Sequence, residues 1–524
     1  MKINKSYSLK IVFIILGAIF SLYSIFNIGL SYDQIFHIEN GEKRLKYLFS
    51  FGRYDYYDIL HLKYYPGLYD TISVLLATAF PRNLYYESFY LINFLTGLAG
   101  LFGLKKVVSF FFGSKVSKIF FLISFFSPIF FGHLPINPKD TIIATANFWI
   151  LYYVIKYLKT DSNIIRNDVS IKIGFFLGLG VGVRVLFLGT LIPIIFFFFF
   201  EIFFFKKIVN KLNIKVFLKH LIYIFLISYF FLILCWPNVH SNIFTEPFRI
   251  FFQSLKDTSQ GVQLSYFAGN FYDTLHTPWY YIFLNLFYKI PVFYLIIFFF
   301  SFIFIMNIKT YFKKNTNFIY YISICLFLFF FPILIAIFFK LKIHDGLRYF
   351  IYLIPLFNII PSIFLLFLFE GSKNLKFFSS IILLPFLFIF LFKFFSIAPY
   401  HYSYLNIFND IFLVKDSFEN DYWGSSSKEL IKKFSKKVNN NKFLKIAICG
   451  VNPVNVKYYL KKNGIKNFNL VDLNNEFDYA ILINRAIFKD QTDQNQTCYS
   501  KFSNKKVYIS VRKSFIDLSK IVEY

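Results

Sequence analysis

The stretch LFLFFFPILIAIFF at residues 326–339 contains no polar side chain. A similar run occupies residues 194–200, and 57% of the 524 residues are hydrophobic. Soluble domains are typically about 45–50% apolar, whereas a helix needs about 20 mostly apolar residues to cross the hydrocarbon core of a bilayer. The sequence therefore predicts an α-helical, polytopic membrane protein.

The apolar runs predict about eleven transmembrane helices. They lie at residues 10–30, 86–106, 117–131, 141–158, 172–189, 190–205, 216–236, 282–306, 318–340, 347–369 and 374–397. A further apolar segment, 66–80, is too short to span, so it is predicted to lie at the membrane surface or to re-enter the membrane.

Basic residues indicate which side of the membrane each loop faces. Every segment that would be cytoplasmic carries at least two Lys or Arg, whereas the long loop 237–281 has only Arg249 and Lys256. The positive-inside rule then places the N-terminus in the cytoplasm and the C-terminus outside, in what we expect to be a bacterial inner membrane. The net charge of +28 is attributed to this bias and to contact with anionic membrane lipids, not to binding of nucleic acid.

The chain is predicted to divide into a transmembrane domain, residues 1–398, and an extracytoplasmic tail, residues 399–524. The first part carries two long outer loops, 31–85 and 237–281. From about residue 440, strand-like and helical segments alternate, which predicts a small C-terminal α/β domain. Its predicted elements are strands at 442–450, 468–473 and 477–484 and a helix at 452–464.

The four cysteines, Cys235, Cys325, Cys449 and Cys498, include no C-x-x-C pair. A metal site or a disulfide framework is therefore not expected, although a bridge between Cys449 and Cys498 is left open. No cofactor is predicted. A divalent metal near the acidic residues described next is also left open, because no ligand spacing argues for one.

Two acidic residues are candidates for chemistry on the outer face. Asp33 follows the first span directly and begins the long first loop, where a solvated cap is the alternative explanation. Asp140 ends the turn NPKD (137–140), at which one helix stops and the next begins. A carboxylate at a helix N-terminus is stabilised by the helix dipole, so a capping role is an equal alternative for Asp140. If both are functional, they face the same outer cavity.

Two groups of basic residues are candidates for binding an anion. Arg184 lies in GLGVGVRV (178–185), deep in apolar sequence, where an arginine tends to face a cavity or an anion unless it snorkels to the interface. Lys342, His344 and Arg348 of KIHDGLR are predicted to stand at the outer start of a helix, where amide groups and side-chain charge favour an anion. The phosphate or pyrophosphate of a lipid carrier would fit, and a plain charged boundary is the alternative.

Aromatic motifs in the outer segments are weaker candidates. Trp279 and Tyr280 belong to HTPWYY, and Asp421 and Trp423 belong to DYWG. Trp and Tyr usually anchor a protein at the membrane interface. The alternative is that these four residues contact a sugar or an acceptor.

Taken together, these motifs resemble the GT-C superfamily of membrane glycosyltransferases. The branch is the dolichyl-phosphate-mannose–protein mannosyltransferase-like one, which includes the bacterial lipid A aminoarabinose transferases. The resemblance covers residues 1 to about 430 and rests on the order of its motifs. They are an acid after the first helix (Asp33), YPGLY (65–69), Lys105 and Lys106, NPKD (137–140), G-x-R (182–184), TPWYY (277–281), HDGLR (344–348), PYHYSYLN (399–406) and DYWGSSSKE (421–429).

The resemblance implies that the donor is a polyprenyl-phosphate sugar and that transfer takes place on the outer face. Asp33 would be the general base or would orient the acceptor, and Asp140 would share that task, since Gln34 stands where a second acid is often found. An inverting transfer needs a base for the acceptor's proton and positive charge for the departing phosphate. The basic residues named above would supply that charge. The acceptor is a lipid, a glycan or a protein, and the sequence does not distinguish these.

Two other functions fit the apolar spans. A transporter or lipid flippase would explain the spans and a buried arginine, and an assembly protein would use the tail to bind a partner. Neither explains a long, structured first loop, and no internal repeat of the kind common in transporters is visible. The glycosyltransferase is therefore the favoured prediction.

Overall fold

The computed structural model describes residues 5–57, 62–210, 212–256, 263–371, 373–412, 414–439, 442–487 and 495–524. The α-helices are α1 (Lys5–Asn27), α2 (Gln34–Phe49), α3 (Leu68–Ala77), α4 (Tyr85–Phe112), α5 (Ser114–Phe125), α6 (Pro128–Ile136), α7 (Asp140–Lys159), α8 (Asn163–Val183), α9 (Phe187–Thr190), α10 (Ile192–Phe200), α11 (Ile214–Leu234), α12 (Glu246–Lys256), α13 (Tyr281–Lys289), α14 (Val292–Ile303), α15 (Ile305–Tyr311), α16 (Phe318–Phe338), α17 (Leu353–Glu370), α18 (Lys373–Ser396), α19 (Ile407–Ile411), α20 (Ser427–Ser435), α21 (Pro453–Lys462) and α22 (Cys498–Lys501). The strands are β1 (Leu264–Phe267), β2 (Asn270–Asp273), β3 (Leu444–Cys449), β4 (Phe468–Val471), β5 (Tyr479–Ile483), β6 (Ala486–Ile487), β7 (Gln496–Thr497), β8 (Lys506–Lys513) and β9 (Ile516–Glu523).

The helices are those of an integral membrane protein. Among the described residues, five are long and apolar enough to cross a bilayer: Arg82–Phe112, Asp140–Lys159, Ile214–Leu234, Phe318–Phe338 and Leu353–Glu370. Two bent pairs, α5 with α6 at 67° and α13 with α14 at 109°, would bring the number to seven. Each predicted span coincides with a helix or a helix pair, but the others are shorter or less apolar. The count of eleven therefore stays a prediction.

Among the five long apolar helices, α17 and α7 are the most deeply buried. Within their apolar windows, 78% of the residues of α7 and 89% of those of α17 are buried, against 11% for α11. The apolar side chains of α11 therefore remain outward, as expected for a helix that faces lipid. Close packing uses small residues: a Cβ at Gly100 of α4 would lie 2.7 Å from the Cα of Thr145 in α7. Glycine lets these two backbones approach, as is common in membrane bundles.

The first outer loop is folded, as predicted. It contains α2 and α3, and the short apolar segment at 66–80 forms α3. The two helices are joined by His37 of α2, whose Nδ1 lies 2.9 Å from Oδ2 of Asp70 in α3. Both side chains are buried, so this polar contact is shielded from water and fixes how the helices lie on each other.

The C-terminal part contains a five-stranded mixed sheet with the order β4-β3-β5-β9-β8. Strand β3 lies parallel to β4 and β5, while β9 lies antiparallel to β5 and β8. The predicted strands and helix are confirmed as β3, α21, β4 and β5. The hairpin β8–β9 was not predicted, because its residues, from Lys506 to Glu523, mix charged and apolar side chains.

A disulfide joins Cys449, at the end of β3, to Cys498, at the start of α22. This is the one bridge that the sequence left open; its two cysteines lie 49 residues apart in sequence and carry no spacing signature. Cys235 and Cys325 are free and buried. Because disulfides persist in oxidising compartments, the bridge agrees with the predicted outer location of this domain.

Candidate active site

Asp33 lies between α1 and α2, with its Oδ2 atom 3.3 Å from Nζ of Lys139. Its side chain is 31% exposed, so a ligand can reach it. Burial disfavours its charge, but the positive charges of Lys139 and Arg348 outweigh this and hold the pKa of the Asp33 carboxyl below its usual range. Asp33 is therefore ionised at neutral pH and able to accept a hydrogen bond from a hydroxyl group.

The turn NPKD holds Asp140 through Asn137. The Asn137 Oδ1 atom accepts from the Asp140 backbone N–H at 3.0 Å, and its Nδ2 donates to Asp140 Oδ2 at 3.0 Å. The same Nδ2 donates to Nδ1 of His133 at 3.2 Å. The other ring nitrogen of His133 therefore carries the proton and donates to the hydroxyl of Tyr422 at 2.9 Å. A chain of hydrogen bonds thus connects Asp140 to the segment that follows the last membrane helix.

Arg184 lies at the C-terminal end of α8, beside Tyr65. Its Cζ atom is 5.8 Å from the centroid of the Tyr65 ring, and Nζ of Lys139 is 5.4 Å from the same centroid. Burial raises the pKa of the Tyr65 phenol, but the charges of Arg184 and Lys139 outweigh it and lower that pKa. Among the described residues, the Arg184 guanidinium has no hydrogen-bond or ion-pair partner, and Asp140 is close enough for their charges to interact. An uncompensated guanidinium of this kind is suited to an anion.

The position of Tyr65 is fixed by a buried arginine. Arg44 of α2 donates to the carbonyl oxygens of Tyr65 at 2.8 Å and of Cys235 at 2.5 Å, and it also donates to that of Pro66. Gly67 has φ +74°, and a Cβ there would lie 2.5 Å from Arg44 Cζ. The YPGLY motif is therefore a tight turn wrapped around a guanidinium group, which explains its proline and its glycine.

The motif KIHDGLR forms a loop that ends where a short 3₁₀ helix, Arg348–Phe350, begins ahead of α17. Asp345 and Gly346 have φ of +55° and +68°, which a right-handed helix cannot accept, so the loop itself is not helical. The contribution of helix amides stays a prediction. Lys342 is half-buried at the beginning of the loop. An anion near this loop would be met by side chains.

His344 differs from the prediction in charge, whereas Arg348 does not. Arg348 is paired with Asp345 (Nη1 to Oδ2, 2.8 Å) and donates through Nη2 to Nε2 of His344 at 3.0 Å. Burial, the largest influence, lowers the pKa of His344 to about 3. His344 is therefore neutral at physiological pH, so it holds Arg348 in place and does not act as a cation.

Two residues that the sequence did not identify join this cluster from the C-terminal part. Arg485 follows β5, and its Nη2 lies 3.5 Å from Asp345 Oδ1. Glu419 accepts from the backbone N–H of Ala486 at 2.7 Å and from the hydroxyl of Ser265 at 3.3 Å. Burial dominates at Glu419 and raises its pKa to about 7. No sequence signal singled these residues out, because charged residues are ordinary in a polar segment.

The DYWG motif packs against the cluster through Trp423 and closes a turn through Asp421. Trp423 is buried, and the Cζ atom of Arg348 lies 5.2 Å from its ring centroid. Asp421 is also buried, where it accepts from the backbone N–H groups of Ser425 at 3.1 Å and Ser426 at 2.9 Å and from the hydroxyl of Tyr402. The predicted contact of Asp421 with a sugar is therefore replaced by a role in closing this turn. Trp423 instead packs against a residue of the cluster.

Trp279 and Tyr280 lie outside the cluster. Their side chains are 68% and 37% exposed, and they pack against each other with ring centroids 5.8 Å apart. Trp279 borders a mostly apolar groove of about 330 Å³, whose other walls include Ile282, Ile337 and Ile343. Since Ile343 precedes His344 in sequence, one end of this groove adjoins the cluster.

The site therefore combines carboxylates, cations and aromatic rings from separate parts of the chain. The sequence-predicted residues that the structure brings together are Asp33, Asp140, Arg184, His344, Arg348 and Trp423. Within the described ranges, no group of three His, Cys, Asp or Glu side chains is arranged to hold a metal ion. The arrangement can orient a hydroxyl group at Asp33 and bind an anion at Arg184.

No family model matches the sequence, and no curated protein matches it. Among solved structures, ArnT from Cupriavidus metallidurans in the apo state is similar with a TM-score of 0.54 and 11% identity, over 99% of this chain and 98% of that chain. ArnT bound to undecaprenyl phosphate gives a TM-score of 0.53 with 11% identity, over 98% of each chain. An oligosaccharyltransferase from Archaeoglobus fulgidus gives a TM-score of 0.47 with 12% identity, over 92% of this chain and 70% of that chain. The chain therefore shares the fold of ArnT over nearly its whole length, and the predicted C-terminal sheet domain is present.

Proposed function

We propose that this protein, which shares the ArnT fold over nearly its whole length, is a glycosyltransferase. In this proposal it moves a sugar from a polyprenyl-phosphate donor to an acceptor on the outer face of the membrane. The single observation that carries the proposal is the uncompensated Arg184 beside the Asp33 and Lys139 pair, in a fold whose relative binds undecaprenyl phosphate. An acid and an anion site side by side are what transfer from a phosphate requires.

The reaction would be a direct displacement. The acceptor hydroxyl oxygen attacks C1 of the sugar, the bond from C1 to the phosphate oxygen breaks, and its electron pair leaves with the lipid phosphate. The proton of the acceptor passes to Asp33. Because the pKa of Asp33 is low, it is a weak base, so it would take the proton late, when the attacking oxygen has become acidic. Asp140 would orient the same hydroxyl or an adjacent one.

The phosphate would be held by cations that no carboxylate fully neutralises. Arg184 meets this condition best, and Nζ of Lys139 lies near the same Tyr65 ring. Arg348 already forms an ion pair with Asp345, so it would contribute less to binding of the donor in the ground state. Its contribution would grow once negative charge develops on the leaving phosphate. Lys342 would add positive charge at the start of the loop, and the donor's isoprenoid chain would occupy the apolar groove beside Ile343.

The test uses purified protein in nanodiscs with a panel of polyprenyl-phosphate sugars and a cell extract as the source of acceptor. Release of polyprenyl phosphate is measured for the wild type, Asp33→Asn and Arg184→Ala, together with donor affinity. We expect Asp33→Asn to lower kcat by at least about a hundredfold while donor binding survives, since general-base contributions are typically about 10²–10⁴-fold. We expect Arg184→Ala to weaken donor binding as well.

Asp168→Asn and Lys172→Ala are matched controls, because this exposed pair on α8 carries the same charges far from the cluster. Neither control should change the rate. Release that persists in Asp33→Asn would move the base to Asp140. No release from any donor by the wild type would reject the enzyme and favour a transporter or flippase.

A further inference from the structure

Side chains of the C-terminal domain form hydrogen bonds with the backbone immediately before Asp33. Asn452 Nδ2 donates to the carbonyl oxygen of Tyr32 at 2.7 Å, and Asn455 Nδ2 donates to that of Ser31 at 3.0 Å. The hydroxyl of Tyr459 accepts from the Leu30 backbone N–H at 2.7 Å. These three side chains lie at the start of α21 and along it, so one helix of the domain holds three consecutive residues beside the site.

Arg485 enters the site from the same domain. Its Nη1 donates to the carbonyl oxygen of Tyr422 at 2.9 Å, and its Nη2 donates to Oε1 of Gln263 at 3.2 Å. The guanidinium lies over the ring of Tyr32, with Cζ 5.4 Å from the centroid. Its remaining contact is the ion pair with Asp345. Arg485 is thus fixed on several sides; Asp345 is the carboxylate of its ion pair, and the charge of Glu419 also acts on it.

The segment that carries Arg485 is tied to the disulfide. The backbone N–H of Cys498 donates to the carbonyl oxygen of Arg485 at 2.9 Å. The next residues, Ala486 and Ile487, pair with Thr497 and Gln496 in the β6–β7 ladder. Since Cys498 is bonded to Cys449 at the end of β3, the segment that presents Arg485 is anchored to a strand of the sheet.

We infer that Arg485 is a positioning residue of the proposed glycosyltransferase, supplied by the C-terminal domain and held by the Cys449–Cys498 disulfide. Asp345 binds Arg348 with one oxygen and Arg485 with the other. Arg485 therefore fixes the carboxylate that in turn orients Arg348 toward the donor phosphate. The inference rests on the proposed function, because it assigns that phosphate to the neighbourhood of Arg348.

Arg348 and Arg485 share the negative charge of Asp345. With two guanidinium groups around one carboxylate, the group of three carries a net positive charge, which is available to an anion. Without Arg485, Asp345 would neutralise Arg348 alone, and the cluster would attract phosphate less strongly. Removing a partner from a buried charged group has an effect of roughly 1.5–3 kcal/mol, which corresponds to a change of about 10–150-fold in affinity or rate.

The test compares the full chain with Arg485→Ala, Arg485→Lys and the control Arg512→Ala in nanodiscs. Arg512 belongs to the same domain but is exposed and paired with Asp517 on the surface. Affinity for undecaprenyl phosphate alone and release of polyprenyl phosphate from the donor are both measured. We expect Arg485→Ala to weaken binding by at least about tenfold, Arg485→Lys to restore part of it, and the control to bind like the wild type.

The disulfide supplies a second arm. Reduction should weaken binding in the wild type but produce no further loss in Arg485→Ala, because both changes act through the same side chain. Unchanged affinity in Arg485→Ala, with the melting temperature and the disulfide intact, overturns the inference. A wild type that binds undecaprenyl phosphate and never transfers rejects the proposed function while leaving the role of Arg485 testable by affinity. A wild type that does not bind the lipid phosphate overturns both.

Discussion

The carboxylates of the site have opposite environments, although they lie within one cluster. Asp33 faces Lys139 at 3.3 Å and stays ionised. Glu419 is buried, and its partners are the Ala486 N–H and the Ser265 hydroxyl, so burial prevails and raises its pKa to about 7. Separated pKa values of this kind are typical of functional sites, although structural groups show them as well.

Glu419 predicts a dependence of stability on pH. Its pKa rises from 4.5 to about 7 on folding, so the folded protein binds the proton more tightly than the unfolded chain between these values. Stability therefore falls as the pH rises through this interval and remains lower above it. The Glu419→Gln variant keeps an acceptor oxygen and has no proton to lose. The melting temperature of Glu419→Gln minus that of the wild type should therefore be larger at pH 8 than at pH 5.

Thermal unfolding of both proteins in nanodiscs at pH 5 and pH 8 measures this difference. Glu476→Gln is the control, because Glu476 is an exposed carboxylate of the same domain. An equal difference between wild type and Glu419→Gln at the two pH values would show that Glu419 does not titrate in this range. The comparison within each pH removes the contributions of all other groups.

The sequence identified the residues whose charge is out of place in apolar surroundings. Asp33, Asp140, Arg184 and Arg348 all interrupt or border membrane spans, where a charge needs a reason. Arg485 lies in a polar tail, where an arginine carries no such signal. It reaches the cluster through contacts between parts of the chain far apart in sequence, which spacing cannot reveal.

At the scale of the element, the sequence predicts the long apolar helices but not the residues with left-handed backbone angles. The predicted spans match helices because composition alone determines them. The motif at 342–348 is predicted to stand at the start of a helix, and its last residue, Arg348, does begin a short 3₁₀ helix. Its two left-handed residues, Asp345 and Gly346, keep the preceding loop out of the helix, and in an aspartate this conformation has no clear sequence signature.

Helix α12 is predicted to lie in the membrane interface. Three exposed apolar side chains share one face, since they are spaced by four and three residues: Phe248, Phe252 and Leu255. Ile250, on the opposite side, is buried against the protein. An exposed apolar face on a short helix beside a membrane is typical of an interfacial helix. We therefore expect residue 252 to contact lipid.

A nitroxide label introduced as Phe252→Cys should relax faster with oxygen than with a water-soluble nickel chelate. The native unpaired cysteines, Cys235 and Cys325, are buried, so labelling can be directed to the new position. Gln253→Cys is the matched control, because Gln253 is exposed on the polar side of the same helix. Equal accessibility to the nickel reagent at both positions would contradict the interfacial placement.

At the scale of the whole molecule, the predicted boundary near residue 399 separates the membrane helices from a tail that nevertheless reaches back among them. A Cβ at Gly132 of α6 would lie 2.1 Å from the backbone nitrogen of Tyr402. Likewise, a Cβ at Gly29 would lie 2.2 Å from the carbonyl oxygen of Ser425. Tyr402 and Ser425 are thus packed directly against the membrane part of the chain, whereas the sheet follows later in the chain. The site lies between these parts.

Removal of residues 430–524 should therefore separate insertion from activity. The membrane helices insert because of their own apolarity, so the shortened protein should resist extraction by alkali as the full chain does. It would lose Arg485 and the three α21 side chains that hold residues 30–32 next to Asp33. We expect release of polyprenyl phosphate to fall below detection, while Asn455→Ala, which removes one of these three side chains, lowers it only in part. Failure of the shortened protein to insert would place the domain boundary elsewhere, and full activity would show that the C-terminal domain has no part in the site.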